Sequence, residues 1–294
     1  MKASLLGQLM LYGVVRGALF SLFAMGFGII YRSLRFFDVS CAGTYVLAPY
    51  LLLAFWNIFG LHPIVSLTLA VLATALYAAG LERAVYSRLY RRSAGPQILL
   101  IASIGIFIII ENVIAMIFGS EVRVFPQWLA ANLTNGSISF TRLNLLQLLI
   151  GLGVSISFYG LTRKSLSMKA LWALGDEPDL IEIIGISRER LRMLAAALGA
   201  LLIGLASSLT ALETGMDPFM GMNALLNAAV IVIMGGKESV VGWIIGSFVL
   251  ALIHSAVIYF LSPNWTPVLT FMILIFIMMV RPEGLFSARK RLEE

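Results

Sequence analysis

Uninterrupted apolar runs of span length recur along this chain, and nothing constrains its fold more. Nine can be drawn, at roughly 5–31, 40–60, 63–81, 97–119, 144–162, 193–212, 223–235, 240–261 and 267–280. Most approach the roughly 20 apolar residues that cross a hydrocarbon core as an α-helix. A β-barrel would instead show segments of about ten residues with alternating hydrophobicity. With 60% hydrophobic and only 12% charged residues, the chain is too apolar to be soluble. The expected class is an all-α polytopic membrane protein of about 8–9 transmembrane helices, forming a single transmembrane domain over 1–294. The seventh run is short and rich in Asn and Gly, so a half-helix is the alternative there. The first run is span-length and lacks an A-x-A cleavage site, so it is expected to stay as a helix.

Orientation follows from Lys and Arg. If the connection 82–96 faces the cytoplasm, so do 32–39, 163–192, 236–239 and the tail from 281. Those segments hold 17 of the 21 basic residues. The bias predicts the N-terminus outside and the C-terminus in the cytoplasm. The same placement explains the net charge of +6 without nucleic acid, since basic residues flank spans. The lipid membrane is the implied partner. Cys41 is the only cysteine, so no disulfide forms within the chain. His62 and His254 lie in no metal-ligand pattern, so no metal is expected.

Gly13-x-x-x-Gly17 and Gly242-x-x-x-Gly246 have the spacing that lets helix backbones approach closely. The outer connection 120–143 holds Pro126, Trp128 and Gly136. It also holds two glycosylation patterns, at Asn132 and Asn135, which matter only in a glycosylating source. Polar groups within spans are costly and therefore candidates for function. Here they are Arg16, Glu111, Asn112, Asn223, Asn227, His254 and Ser255. Asn223 and Asn227 are four apart and share a helix face. They could line a pathway or simply bond neighbouring helices. Arg16, near the outer part of its span, could snorkel. No H-E-x-x-H, G-x-S-x-G, paired intramembrane aspartates or P-loop is present, and Gly235-Gly236-Lys237-Glu238 lacks both the spacing and the hydroxyl residue. The chain is not expected to be an enzyme or to bind a cofactor.

The longest inward connection, 163–192, is organised. Ser167 is a candidate cap for a short helix through Trp172, and Gly175 is expected to break it. GDEPDLIEIIG (175–185) then reads as a second helix, with Asp176 as N-cap, Pro178 at its start and Gly185 at its end. Leu180, Ile181, Ile183 and Ile184 form its apolar stripe, flanked by Glu177, Asp179 and Glu182. Helices that lie on lipid headgroups are typically Lys/Arg-rich on the polar face. An acidic polar face fits a groove on a protein better. This is a docking helix.

Here the chain resembles, over nearly its whole length, the permease subunits of branched-chain amino-acid type ABC importers. Three stretches carry the resemblance: Ala173-Leu-Gly-Asp176-Glu177-Pro178 leading to Gly185-Ile186-Ser187; Arg281-Pro282-Glu283-Gly284-Leu285-Phe286 after the last span; and Gly235-Gly236 followed by Gly242-x-x-x-Gly246. Ile104-Gly105 with Asn112 also fits the fourth segment. The resemblance implies that Asp176, Glu177, Pro178, Leu180, Ile181, Glu182, Ile184 and Gly185 form the helix that couples to an ATPase. It implies a second permease, two ATPase subunits that carry ATP and Mg, and an extracytoplasmic substrate-binding protein, in a bacterial inner membrane.

One stretch departs from the family's N-F-A-H-G-[DE]-x-Y-M-L-G-A-Y. This chain reads Asp38-Val-Ser-Cys41-Ala-Gly-Thr-Tyr45-Val-Leu47-Ala-Pro49-Tyr50, keeping Tyr45, Leu47 and Tyr50. Pro49, inside span two, is placed to kink it. The departure points to a solute other than leucine, isoleucine or valine: a small amino acid, amide or related molecule. Asp38, Ser40, Cys41, Tyr45, Asn223 and Asn227 are the residues expected to line the pathway. A carrier or channel working alone is the main rival reading. It would need ion-coupling carboxylates deep in spans, where Glu111 is the candidate. An intramembrane enzyme and a membrane scaffold are further alternatives.

Overall fold

The structure is a computed structural model that describes residues 2–125, 141–183, 185–281 and 284–286. Apart from isolated bridge residues, of which Arg123 and Met216 pair antiparallel, all regular structure among the described residues is helical. Eight stretches are long and apolar enough to cross a membrane: Gly7–Leu34, Ser40–Ile58, Pro63–Arg91, Pro96–Phe118, Arg142–Lys164, Arg188–Thr214, Val240–Phe260 and Pro263–Val280. A ninth apolar helix, Met220–Gly235, is shorter. The expected glycosylation patterns and Trp128 lie outside the described residues, as do Ile184, Pro282 and Glu283.

The helices form two shells. At the centre, α1 (Lys2–Leu34) packs against α9 (Arg188–Thr214) and α11 (Val240–Phe260). The next helices inward are α2 (Ser40–Leu53) and α10 (Met220–Gly235). Outside them stand α3 (Pro63–Leu81), α5 (Pro96–Phe118), α6 (Arg142–Lys164) and α12 (Thr266–Val280), whose apolar faces are open. Leu76, Ile101, Met116, Ile156 and Met279 are each at least two-thirds exposed, which suits helices whose surroundings are lipid tails. Met220–Gly235, at 16 residues, spans only about 24 Å. It packs against α1, α2, α11 and α12, so these neighbours cover much of it.

Span two shows how the chain handles a central proline. Pro49 has no N–H to give the Tyr45 carbonyl, which would be left bare in the bundle core. The Ser207 hydroxyl of α9 donates to that carbonyl instead. The helix then loosens into a π turn, Ala54–Ile58, before it ends.

The glycine spacings seen in the sequence mark backbone contacts. Gly13 and Gly17 receive Leu252 and Phe248 of α11. Gly235 and Gly242 let α10 and α11 touch backbone to backbone, and a Cβ on Gly242 would sit 2.0 Å from the Gly235 carbonyl oxygen. Replacing Gly242 with Val should therefore cost about 3 kcal/mol or more, because neither backbone can move aside. Gly246→Ala should cost far less, since the tightest contact of its Cβ is the flexible end of Met234 at 3.0 Å and Ile231 lies at ordinary contact distance. Thermal unfolding of the two purified variants in detergent checks the contrast. The tail stretch meets the same turn: the Leu285 amide donates to the Met234 carbonyl at 2.8 Å, and Gly284 lies on the Gly236 backbone. Two motifs separated in the sequence thus pack as one unit.

The organised connection folds as α7 (Leu166–Asp176) and α8 (Pro178–Ile183). Three details differ from expectation. Ser165, in extended backbone, precedes the first helix, not Ser167. Gly175 does not break α7 but lies within it, where a Cβ would come within 2.3 Å of the Arg32 carbonyl oxygen. Asp176 ends α7 instead of capping α8. The break falls on Glu177 (φ −140°, ψ 85°), because the ring of Pro178 excludes helical geometry from the residue before it. Pro178 opens α8 as expected. Gly185 closes it at φ +82°, with Gly185 N–H bonded to the Glu182 carbonyl and Ile186 N–H to that of Ile181.

Candidate functional site

Two places in the fold can do work: a cavity among the central helices, and the α7–α8 loop at one end.

The cavity has a volume of about 460 Å³ and lies between α1, α9, α10, α11 and α12. Asn223 and Asn227, four apart on α10, both line it. His254 lines it from α11, and its Nε2 lies 2.8 Å from the Thr270 hydroxyl of α12. That hydroxyl is also 3.3 Å from the Asn227 side-chain oxygen. Phe20 stands edge-on to the His254 ring at 5.8 Å. Arg16 and Glu213 also face the cavity. Arg16 was visible in the sequence as a charge within a span, but Glu213 was missed because it lies at the edge of an apolar run. Thr210, Glu213 and Thr214 sit at helical spacing on one face of α9, which was the available signal. Glu111 and Asn112 are on α5, away from this cavity, and Asn112 bonds its own helix at Ile108.

The 38–45 stretch divides in two. Tyr45 stacks on Phe23 at 4.8 Å and shares a small adjoining space with Asn227. Asp38, Ser40 and Cys41 do not line the cavity and are each no more than 5% exposed. Asp38 accepts from the Ser40 amide and from the Tyr86 hydroxyl, both at 2.9 Å, and so fixes the start of α2. Burial pushes its carboxyl above the usual range, and those bonds from Ser40 and Tyr86 pull the other way. In this fold these three residues shape the start of α2 and lie outside the cavity lining.

At the end that carries α7 and α8, Arg32 is a junction. Its guanidinium donates to the Glu238 carbonyl at 3.0 Å, lies 3.7 Å from the Asp176 carboxylate and covers the Trp172 ring at 4.0 Å. One side chain thus joins α1, α7 and the α10–α11 turn. Beneath lies a second ionic contact. Arg192 Nε, at the start of α9, donates to Glu82 Oε1 at 3.2 Å, and Arg192 lies 4.1 Å over the Tyr90 ring. Glu82 is fully buried, and its role was not read from the sequence.

On α8 the expected coupling residues separate. Ile181 is 2% exposed and belongs to the chain's own core, so it anchors the helix. Ile183 points the other way and is 78% exposed. Asp179 and Glu182 are both clamped by Arg188. Asp176, Glu177 and Gly185 are exposed at the loop surface, and Pro178 is half-buried. The surface offered outward is therefore an isoleucine beside neutralised acids.

Multi-pass helices around a partly open cavity, with ordered helices at one end, are the architecture of a membrane transport permease. The chain belongs to the family described as the branched-chain amino acid transport system permease component, which matches residues 9–278. Among curated relatives it is 25% identical to the high-affinity branched-chain amino acid transport system permease protein LivH of Salmonella typhimurium, over 95% of both chains. It is 23% identical to the permease protein BraD of Pseudomonas aeruginosa, also over 95% of both. A probable branched-chain amino acid transport permease, LivH of Methanocaldococcus jannaschii, is 23% identical over 92% of this chain and 90% of its own.

Proposed function

We propose that this chain is one transmembrane subunit of an ATP-driven importer for a small amino acid or related solute. It works beside a second permease, two ATPase subunits that hold ATP and Mg, and an extracytoplasmic substrate-binding protein. The family match over residues 9–278 carries the reading. The names of the relatives make branched-chain amino acids the solutes to try first. Asp38, Ser40 and Cys41, whose departure pointed elsewhere, lie outside the cavity lining. The ordered α7–α8 pair supplies a place for an ATPase to push. The chain sits in a bacterial inner membrane with α7–α8 in the cytoplasm, its N-terminus outside and its C-terminus inside, in keeping with the basic bias at that end. Closure of the ATPases would move the permease pair between inward-open and outward-open states as rigid bodies.

Glu213 gives the second reading, a carrier working alone, one cavity carboxylate to work with. One experiment separates the two. The chain is reconstituted in proteoliposomes with a partner permease, ATPases and binding protein of the same importer, and uptake of labelled leucine and of other labelled small amino acids is followed. Uptake should require ATP and all partners. Ion-gradient-driven uptake by the chain alone would overturn the importer reading.

A further inference from the structure

We infer that the cavity holds its solute as a zwitterion, with Arg16 taking a carboxylate and Glu213 an ammonium group while the apolar wall takes the side chain. The inference deepens the importer reading and rests on it.

Arg16 and Glu213 come from different helices, α1 and α9, and line one cavity. Neither belongs to any of the four ion pairs within 4 Å among the described residues, although Glu213 takes a side-chain hydrogen bond from Gln147 of α6. Charges inside a membrane bundle are expensive to bury and normally pair. A direct salt bridge would be the simplest structural role for the two, and it is not formed. Held apart, they leave a gap that a molecule with both charges can close. A simple anion would satisfy Arg16 and be repelled by Glu213; a simple cation would do the reverse.

Of the other polar groups lining the cavity, Asn223 is exposed and three are engaged with one another. His254, Thr270 and Asn227 form a chain of contacts at 2.8 and 3.3 Å. The lining also holds Phe20, Leu226, Phe271 and Leu274, apolar surface suited to an aliphatic side chain. About 460 Å³ falls within the usual range of small-ligand sites. Arg16 is 16 residues from Arg32 along α1, or about 24 Å, so the site lies far from the docking loop. A fork-shaped guanidinium suits a carboxylate in particular.

The test measures binding to the full permease–ATPase assembly in nanodiscs without the binding protein, so that selectivity belongs to the cavity. Three probes compete with labelled L-leucine: unlabelled L-leucine, L-leucinamide (carboxylate blocked) and 4-methylvalerate (ammonium absent). The wild-type assembly should prefer leucine to each analogue by about tenfold or more, the loss expected for one charged hydrogen-bonded contact. Arg16→Met should erase the preference over leucinamide alone. Glu213→Gln should erase the preference over 4-methylvalerate alone. Arg16→Lys should restore part of the first preference, which a merely structural role would not produce. Equal binding of all three probes, no leucine binding at millimolar concentration, or variants that keep both preferences would overturn the zwitterion site. Normal ATP-driven leucine uptake beside such a result would leave the importer reading standing. Absence of any ATP-driven amino-acid uptake would instead remove the reading on which the site rests.

Discussion

Replacing Arg192 with methionine is expected to destabilise the protein by about 3–5 kcal/mol, the largest stability effect of any single change proposed for it. The size follows from the partner left behind. Glu82 is 0% exposed, and only one of its oxygens is bonded, to Arg192; the other has no partner among the described residues. Without the guanidinium the carboxyl is buried with no cation opposite it, so it either keeps its charge at the full desolvation cost or must take up a proton to fold. Methionine keeps the length of the stem beside Tyr90, so little packing is lost and the effect isolates the charge. Glu82→Gln should be milder, since an amide brings no charge inside. Glu82→Gln combined with Arg192→Met should recover much of the stability lost by Arg192→Met alone. The two sites touch, so their effects should be strongly non-additive. Thermal unfolding of all three variants in one detergent measures the coupling. Additive losses would mean that the pair contributes nothing as a pair. Because Arg192 lies near the start of α9, directly after the α7–α8 connection, the pair also fixes where that connection leaves the bundle.

The order and class of the spans were legible because burial in lipid demands long apolar helices, and that demand is written in runs of residues. Helix ends were legible where a single residue dominates the local energy. Gly185 is one case, since only a left-handed turn ends α8 there. Glu177 is the opposite case. The steric effect of Pro178 on its predecessor outweighed the capping preference of Asp176, so the break moved by one residue. Gly175 was misread for a different reason. It looked like a breaker, but the fold uses its missing side chain to let the Arg32 backbone approach, and close approach between segments far apart in sequence leaves no local mark.

The cavity was only half legible. Asn223 and Asn227 share a helix face, and that face does line it. Asp38, Ser40 and Cys41 drew notice by departing from a family pattern, and departure says nothing of depth. Their burial follows from Tyr86 and Ser103, which bond to the 38–39 backbone and side chain from other helices. Glu213 was hidden at a span boundary, where a charge is unremarkable until a cavity is seen in front of it. The Glu82–Arg192 pair is 110 residues apart in sequence, and no periodicity joins such positions.

For Ile183→Asp the expected result is loss of ATPase capture and of transport, with the permease itself still folded. Position decides this. The apolar stripe of α8 is split, with Ile181 turned into the core and Ile183 turned out, 78% exposed. A helix that lacked a partner would gain nothing by presenting an isoleucine to water, and a groove on another protein gives that side chain somewhere to go. Burying it should contribute about 1.5–3 kcal/mol, so its loss weakens capture by roughly 10- to 100-fold, and a carboxylate in the same groove adds a desolvation cost. Ile183→Ala should show the lower end of that range. Asp179→Asn should change little, because the exposed contact with Arg188 is weak and Glu182 still holds that arginine. Ile181→Ala should behave in the opposite way, lowering the melting temperature of the permease by opening its own core. Co-purification with the ATPases and substrate-stimulated hydrolysis report capture; thermal unfolding reports folding. If Ile183→Asp assembles and hydrolyses normally, the ATPase does not rest on this face. A headgroup-bound α8 would then be the better account, and vesicle flotation of the permease domain with and without the substitution would read it directly.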